Sequence, residues 1–162
     1  MNDWLVYLSI AIICTTTTIY ALSWWKGRRV SLKYATYNGI LTEAVNRVRE
    51  TNALPPLGRV RFLDALARQH SKHMAKRDNC DHVGFERRAS RVQKEIGPLA
   101  VGENCYMCPA EVWDTPIVER VVSGWLRSEE HRENILKSEY RRTGIGIEFN
   151  KGHVYVTQIY AG

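Results

Sequence analysis

Apolar and polar positions follow three different rhythms along this chain. From Trp4 to Trp25, "WLVYLSIAIICTTTTIYALSWW", no charged residue occurs. About 20 apolar residues cross a bilayer, and tryptophan at each end suits the two interfaces. The threonines at 15–18 interrupt the apolar run, but a helix lets each hydroxyl bond back to its own backbone. The pattern predicts a transmembrane helix. A cleaved signal peptide needs a positive start and a small-x-small site. This start carries Asp3 and no cation, and no such site precedes "WWKGRR". Residues 1–25 therefore read as an uncleaved anchor, with residues 4–25 in the lipid membrane. Residues 26–36 read as a basic juxtamembrane linker suited to anionic head groups.

From residue 37 to 162 the chain reads as one domain, and its first rhythm is helical. Ile40, Leu41, Ala44, Val45 and Val48 recur at helical spacing, with Glu43, Arg47, Arg49 and Glu50 expected elsewhere on the surface. The prolines of "NALPPLG" stop that helix. A second helix is expected from Arg61 to Arg77, with Phe62, Leu63, Leu66, Ala67, His70 and Met74 on one face. A polar loop, "RDNCDHVGF", leads to a short basic helix over 86–95. "DTPIVERVVSGWLRS" predicts a third long helix, with Thr115 as N-cap, Pro116 in the first turn, and Ile117, Val118, Val121, Val122 and Trp125 inward. "SEEHRENIL" adds a turn or two, capped by Ser128, with Glu129 and Glu130 at the positive end of the helix. The rhythm then changes to period two. "GIGIEF" and "HVYVTQIYA" flank "NKG", a hairpin signal. Helices first and strands last predict an α+β domain with helices packed on an antiparallel sheet.

Composition adds little to that picture, and charge adds more. Hydrophobic residues make up 44% and charged residues 25%, the balance of a globular chain. Of the net +6, half comes from Lys26, Arg28, Arg29 and Lys33 set against Asp3. The body is only mildly basic, which argues against nucleic acid as a partner. Arg87, Arg88, Arg91 and Lys94 carry no interleaved aromatics, so that run reads as a solvated face. The cations after the anchor place the body in the cytoplasm by the positive-inside rule.

The candidate chemistry lies in His82, Glu103 and His131, each in a loop or at a helix start. Two imidazoles and a carboxylate suit a divalent metal such as zinc, with a coordination position left for water. The positive end of a helix lowers the pKa of His131 and favours the neutral, ligating ring. Ser128 with His131 as base would make a nucleophile, but Ser128 reads better as a cap. His70 reads as a hydrogen-bonded core residue, His73 as solvated and His153 as exposed. Tyr155 and Tyr160 read as sheet packing.

The cysteines leave three readings open. Cys80 could bridge to Cys105 or Cys108, tying the His82 loop to the Glu103 segment in an oxidising compartment. Cys80, His82, Cys105 and Cys108 could hold zinc as a Cys₃His site. They could instead be small apolar fillers. A redox Cys-x-x-Cys fits poorly, because no βαβ pattern surrounds it.

The words "LTEAVNRVRETNALPPL", "FLDALARQHSKHMAKRD" leading to His82, "VGEN", "VVSGWLRSEEHRENIL", "RRTGIGIEF" and "VYVTQIYAG" occur in that order. Together they resemble the CAP family, also called SCP-like (cysteine-rich secretory, antigen 5 and pathogenesis-related proteins), most of all its short bacterial-type members. The resemblance covers nearly all of 37–162. It implies a three-layer α-β-α sandwich with a central antiparallel sheet, and a cleft lined by two histidines and acidic residues. Carried over by position, those are His82, Glu103 and His131. Many members place a second glutamate three residues after the tryptophan of the third helix. Here that position is Ser128, so a two-His, two-Glu set is not implied.

The resemblance also implies a surface-exposed or secreted body, against the basic flank, and the body is expected outside the cytoplasm. Two functions follow. One is a binding module for a divalent metal, lipid or other small ligand at the cell envelope. The other is a hydrolase in which a metal-bound water between His82 and His131 attacks an ester or peptide, with Glu103 as base or ligand. No HExxH helix supports the second, and the binding module is the expected reading.

Overall fold

The computed structural model describes residues 36–110 and 117–162. The expected anchor, the linker as far as residue 35, Cys14, and the Thr115–Pro116 start of the third long helix lie outside the described residues. Among the described residues no helix is long and apolar enough to cross a membrane.

Nine elements make up the described fold. Helix α1 covers residues 36–51. Strand β1 is Gly58–Arg59, α2 is Arg61–Arg77, α3 is Phe85–Ile96 and β2 is Val101–Pro109. Helices α4 and α5 are Ile117–Arg127 and Glu129–Leu136, and the chain ends in strands β3, Arg142–Asn150, and β4, His153–Ala161. The sheet runs β1-β3-β4-β2. The three long strands pair antiparallel without a register break, as the period-two pattern predicts. The expectation of a wholly antiparallel sheet is corrected at one edge, where β1 pairs parallel to β3. The turn between β3 and β4 has Lys151 and Gly152 both at positive φ, the geometry that suits a two-residue hairpin.

Helices cover both faces. Leu63, Leu66 and Ala67 of α2 and Val92 of α3 pack on Ile159 and Ala161 of β4. Glycine sets how close α2 comes: a Cβ at Gly146 would stand 2.0 Å from the Arg68 nitrogen, and one at Gly144 would stand 2.2 Å from that of Asp64. The alternate residues of β2 and β4 turn to α4 and α5. Gly124 lies against the Tyr106 ring, and Tyr140 stacks on Tyr160 with centroids 5.3 Å apart.

Helix α1 differs from its expected orientation. Ile40 is 40% exposed, whereas Arg49, expected on the surface, is fully buried. The Arg49 guanidinium donates to the carbonyls of Pro55 (2.9 Å), Ile135 (2.7 Å), Lys137 (3.0 Å) and Tyr140 (3.1 Å). The carbonyl end of a helix carries unsatisfied acceptors and partial negative charge. Arg49 meets both at the end of α5, so α1 fixes the helix that carries His131.

Candidate functional site

The site is built around the outer edge of β2, and each letter of "GEN" has a physical task there. Gly102 leaves room for its neighbours, since a Cβ would fall 2.3 Å from the Tyr140 hydroxyl and 2.7 Å from Asn134 Oδ1. Glu103 turns to the α2–α3 face. Asn104 turns to the other face and donates to the His131 carbonyl (2.9 Å) and the Tyr160 hydroxyl (3.0 Å), while accepting from Asn134 Nδ2 (2.9 Å). Asn134 also donates to the Glu103 carbonyl (3.3 Å), and the Trp125 indole donates to the Cys105 carbonyl (3.2 Å). These side chains occupy carbonyls of β2 that no neighbouring strand takes.

Glu103 is buried, at 6% exposure. Its Oε2 lies 2.6 Å from Arg88 Nε, and its Oε1 lies 2.6 Å from Arg88 Nη2 and 2.9 Å from His82 Nδ1. Burial works against its charged form, but the hydrogen bonds from His82 and Arg88 and the Arg88 charge outweigh it and hold the carboxyl below its usual range. His82 itself is exposed. With Nδ1 on Glu103, its Nε2 is left for the cleft. The rings of His82 and His131 lie side by side, with centroids 6.2 Å apart and planes at 43°. Burial, then the neighbouring His82, push the His131 pKa down, which favours the neutral ring. Beside them lies a hollow of about 410 Å³ lined by His82, Phe85, Val101, Gly102, Glu103, Asn134, Lys137 and Tyr140.

Three sequence expectations change. Arg88 is not a solvated cation: it is buried and clamps Glu103. The signal was present, because Phe85, Arg88 and Val92 fall on one helical stripe, and a charge in an apolar stripe needs a partner. Ser128 occupies the N-cap position of α5 without a capping bond; its hydroxyl donates to Glu130 at 3.0 Å. Cys80, Cys105 and Cys108 are free thiols. Cys105 packs with Met74, Ala75 and Tyr155, and Cys80 packs against that cluster. Cys108, three residues along an unbroken strand, falls on the opposite face. One metal cannot take both thiolates of the Cys-x-x-Cys, so the Cys₃His reading fails. Cys80 and Cys105 share one apolar cluster, and Cys108 is buried on the other face of the sheet.

His70 is a buried, hydrogen-bonded core residue as expected: its Nε2 donates to the Asp81 carbonyl at 2.8 Å. Tyr155 and Tyr160 are fully buried in the sheet.

Two donor sets could hold a metal. His70, Glu103 and Cys105 offer ligand atoms within 4.8 Å of one another. That set fits poorly. Both oxygens of Glu103 already serve Arg88, and burial drives the Cys105 thiol far above its usual pKa, away from the thiolate that a metal needs. His82 and His131 fit better. Two imidazoles at a tetrahedral angle on one zinc put their ring centres about 5 Å apart, given Zn–N bonds near 2.0 Å. The observed 6.2 Å is within a small rotation of that. Glu103 then orients His82 from behind, as carboxylates commonly do for ligating histidines.

Comparisons with known proteins agree with this frame. Solved structures similar to this chain include an extracellular protein containing an SCP domain from Bacillus anthracis, at 22% identity and TM-score 0.63, covering 79% of this chain and 41% of that one. An outer surface protein of Borrelia burgdorferi matches at 16% identity and TM-score 0.61, over 76% of this chain and 90% of that one. NaASP2, solved with Zn2+, matches at 15% identity and TM-score 0.59, over 75% and 77%. At these identities the likeness concerns the fold alone. No curated protein matches the sequence. The model of the cysteine-rich secretory protein family, CAP, matches residues 42–160. With its mixed α+β sheet and the gathered "GEN" site, this chain belongs to the CAP family.

Proposed function

We propose that the chain is a bacterial-type CAP binding module whose cleft takes a divalent metal such as zinc on His82 and His131. Glu103 positions His82 and Arg88 locks Glu103. The open side of the cleft is left for a small ligand or lipid. Residues 4–25 anchor the module in a membrane, and its body faces away from the cytoplasm. The observation that carries the metal reading is the pair of rings 6.2 Å apart, contributed by the loop before α3 and by the first turn of α5. One of these rings is oriented by a buried carboxylate. The neutral state favoured at His131 leaves its lone pair available for a metal.

Zinc titration of the full chain in a neutral detergent tests this. His82→Ala and His131→Ala should each weaken binding about a hundredfold, and Glu103→Gln about tenfold or more, as for orienting partners of metal ligands. Cys105→Ser should leave the affinity unchanged. Zinc binding that survives both histidine variants and disappears in Cys105→Ser would assign the metal to the His70, Glu103 and Cys105 set instead.

A further inference from the structure

A second hollow, of about 270 Å³, lies between α2 and α3, with Arg88 in its lining. Its lining includes Arg77, Arg87, Arg91 and His73 and contains no carboxylate. Arg77 is neutralised by Asp81 at 2.8 Å, and Arg88 by Glu103. Among the described residues Arg87 and Arg91 have no acidic partner; Arg91 reaches only the neutral amide of Gln69, at 3.3 Å. These two guanidiniums stand one helical turn apart. Like charges at that spacing cost a helix a few tenths of a kcal/mol. Two forks on one face suit the oxygens of a tetrahedral anion. The volume is below the usual 300–1,000 Å³ of pockets for drug-sized ligands, which restricts the occupant to a small head.

The floor of the hollow narrows the chemistry. His70 lines it and is 1% exposed, and its Nδ1 has no hydrogen-bond partner. A carbonyl only accepts, so the bond to Asp81 requires the proton on Nε2. Nδ1 is therefore a buried acceptor lacking a donor, a costly arrangement if nothing fills it. A sulfate offers acceptors alone. A singly protonated phosphate offers acceptors to the arginines and an O–H to His70.

We propose that the hollow between α2 and α3 binds a phosphate group that keeps one O–H, held by Arg87 and Arg91 and donating to His70 Nδ1. The hollow shares no lining residue with the one beside His82 and His131, although His70 Nε2 lies 3.9 Å from Glu103 Oε1, and binding there needs no metal in the cleft. The group could come from a free phosphate or from a lipid head group, and the test separates these.

Calorimetric titration of the full chain in neutral detergent at about pH 5.5, below the second phosphate pKa of about 6 so that most phosphate groups keep an O–H, uses inorganic phosphate, sulfate and a short-chain phosphatidic acid. Phosphate should bind saturably. The double variant Arg87→Gln/Arg91→Gln should weaken it at least about tenfold, as for loss of charged hydrogen bonds, with zinc affinity and melting temperature unchanged. Lys72→Gln/Lys94→Gln removes the same charge from the same helices outside the hollow and should change binding less than about twofold. Sulfate should bind at least about fivefold more weakly than phosphate. Phosphatidic acid binding markedly tighter than phosphate, through the same arginines, identifies a lipid source; equal binding identifies the free anion. Absence of phosphate binding, equal loss in both double variants, or equal affinity for sulfate would overturn the proposal. So would a single-stranded oligonucleotide outcompeting phosphate for these arginines.

Discussion

Glu103 and Arg88 form the pair on which the cleft rests. Removing one member of a buried ion pair strands the other, at a cost of about 3–5 kcal/mol. Glu103→Ala should therefore lower the unfolding free energy by about 3 kcal/mol, and Glu103→Gln/Arg88→Met should recover much of the loss, as read by denaturant melts. The pair also predicts a pH dependence with a definite sign. The folded carboxyl titrates below its ordinary value of about 4.5. Its contribution is full above that value and is lost as pH falls through the lower folded pKa. The metal-free wild type should lose stability over that acid range, and Glu103→Gln should lose less. His82, Glu103 and His131, which the structure brings together, were weak candidates from loop position alone and stood out only through the family resemblance. Arg88 was hidden because a cationic run looks solvated until its helical phase is read, and Arg49 because a cation satisfied by carbonyls leaves no acidic partner in the sequence.

At the scale of elements, the contact between α2 and β3 decides how tightly the domain closes. Gly144 and Gly146 let helix backbone meet strand backbone without side chains between them. Gly146→Ala should cost about 2 kcal/mol or more, because overpacking a contact flanked by backbone cannot be relieved by a rotamer change. Gly58→Ala is the control. Its Cβ would lie 3.6 Å from the Arg141 carbonyl, an ordinary contact, and should change the melt by no more than about 0.5 kcal/mol. Periodicity located α2 and the β3–β4 hairpin well, because each has a sustained apolar rhythm; α3 was legible only as a short basic helix, since little of its sequence is apolar. It could not find β1, whose two residues are too short to show one. It read "VGENCYMC" as a motif rather than a strand, since Glu103 and Asn104 are buried by specific partners and break the alternation of apolar and polar residues.

For the whole molecule, the proposed anchor makes location part of function. The full chain should stay with membranes after alkaline carbonate washing, and a chain lacking residues 1–25 should be soluble. Protease added to intact cells should digest the body. A body protected until lysis would put it on the cytoplasmic side, where the basic flank points, and would overturn the outward orientation. Molecules tethered this way meet one another at high local density, where unpaired strand edges invite sheet-to-sheet growth between copies. Two acceptors on the outer border of β2 are withheld from such growth, because the Trp125 indole and the Asn134 amide already occupy its Cys105 and Glu103 carbonyls. Side chains that steady the histidine cleft thereby also take up part of a strand edge that another strand would otherwise use.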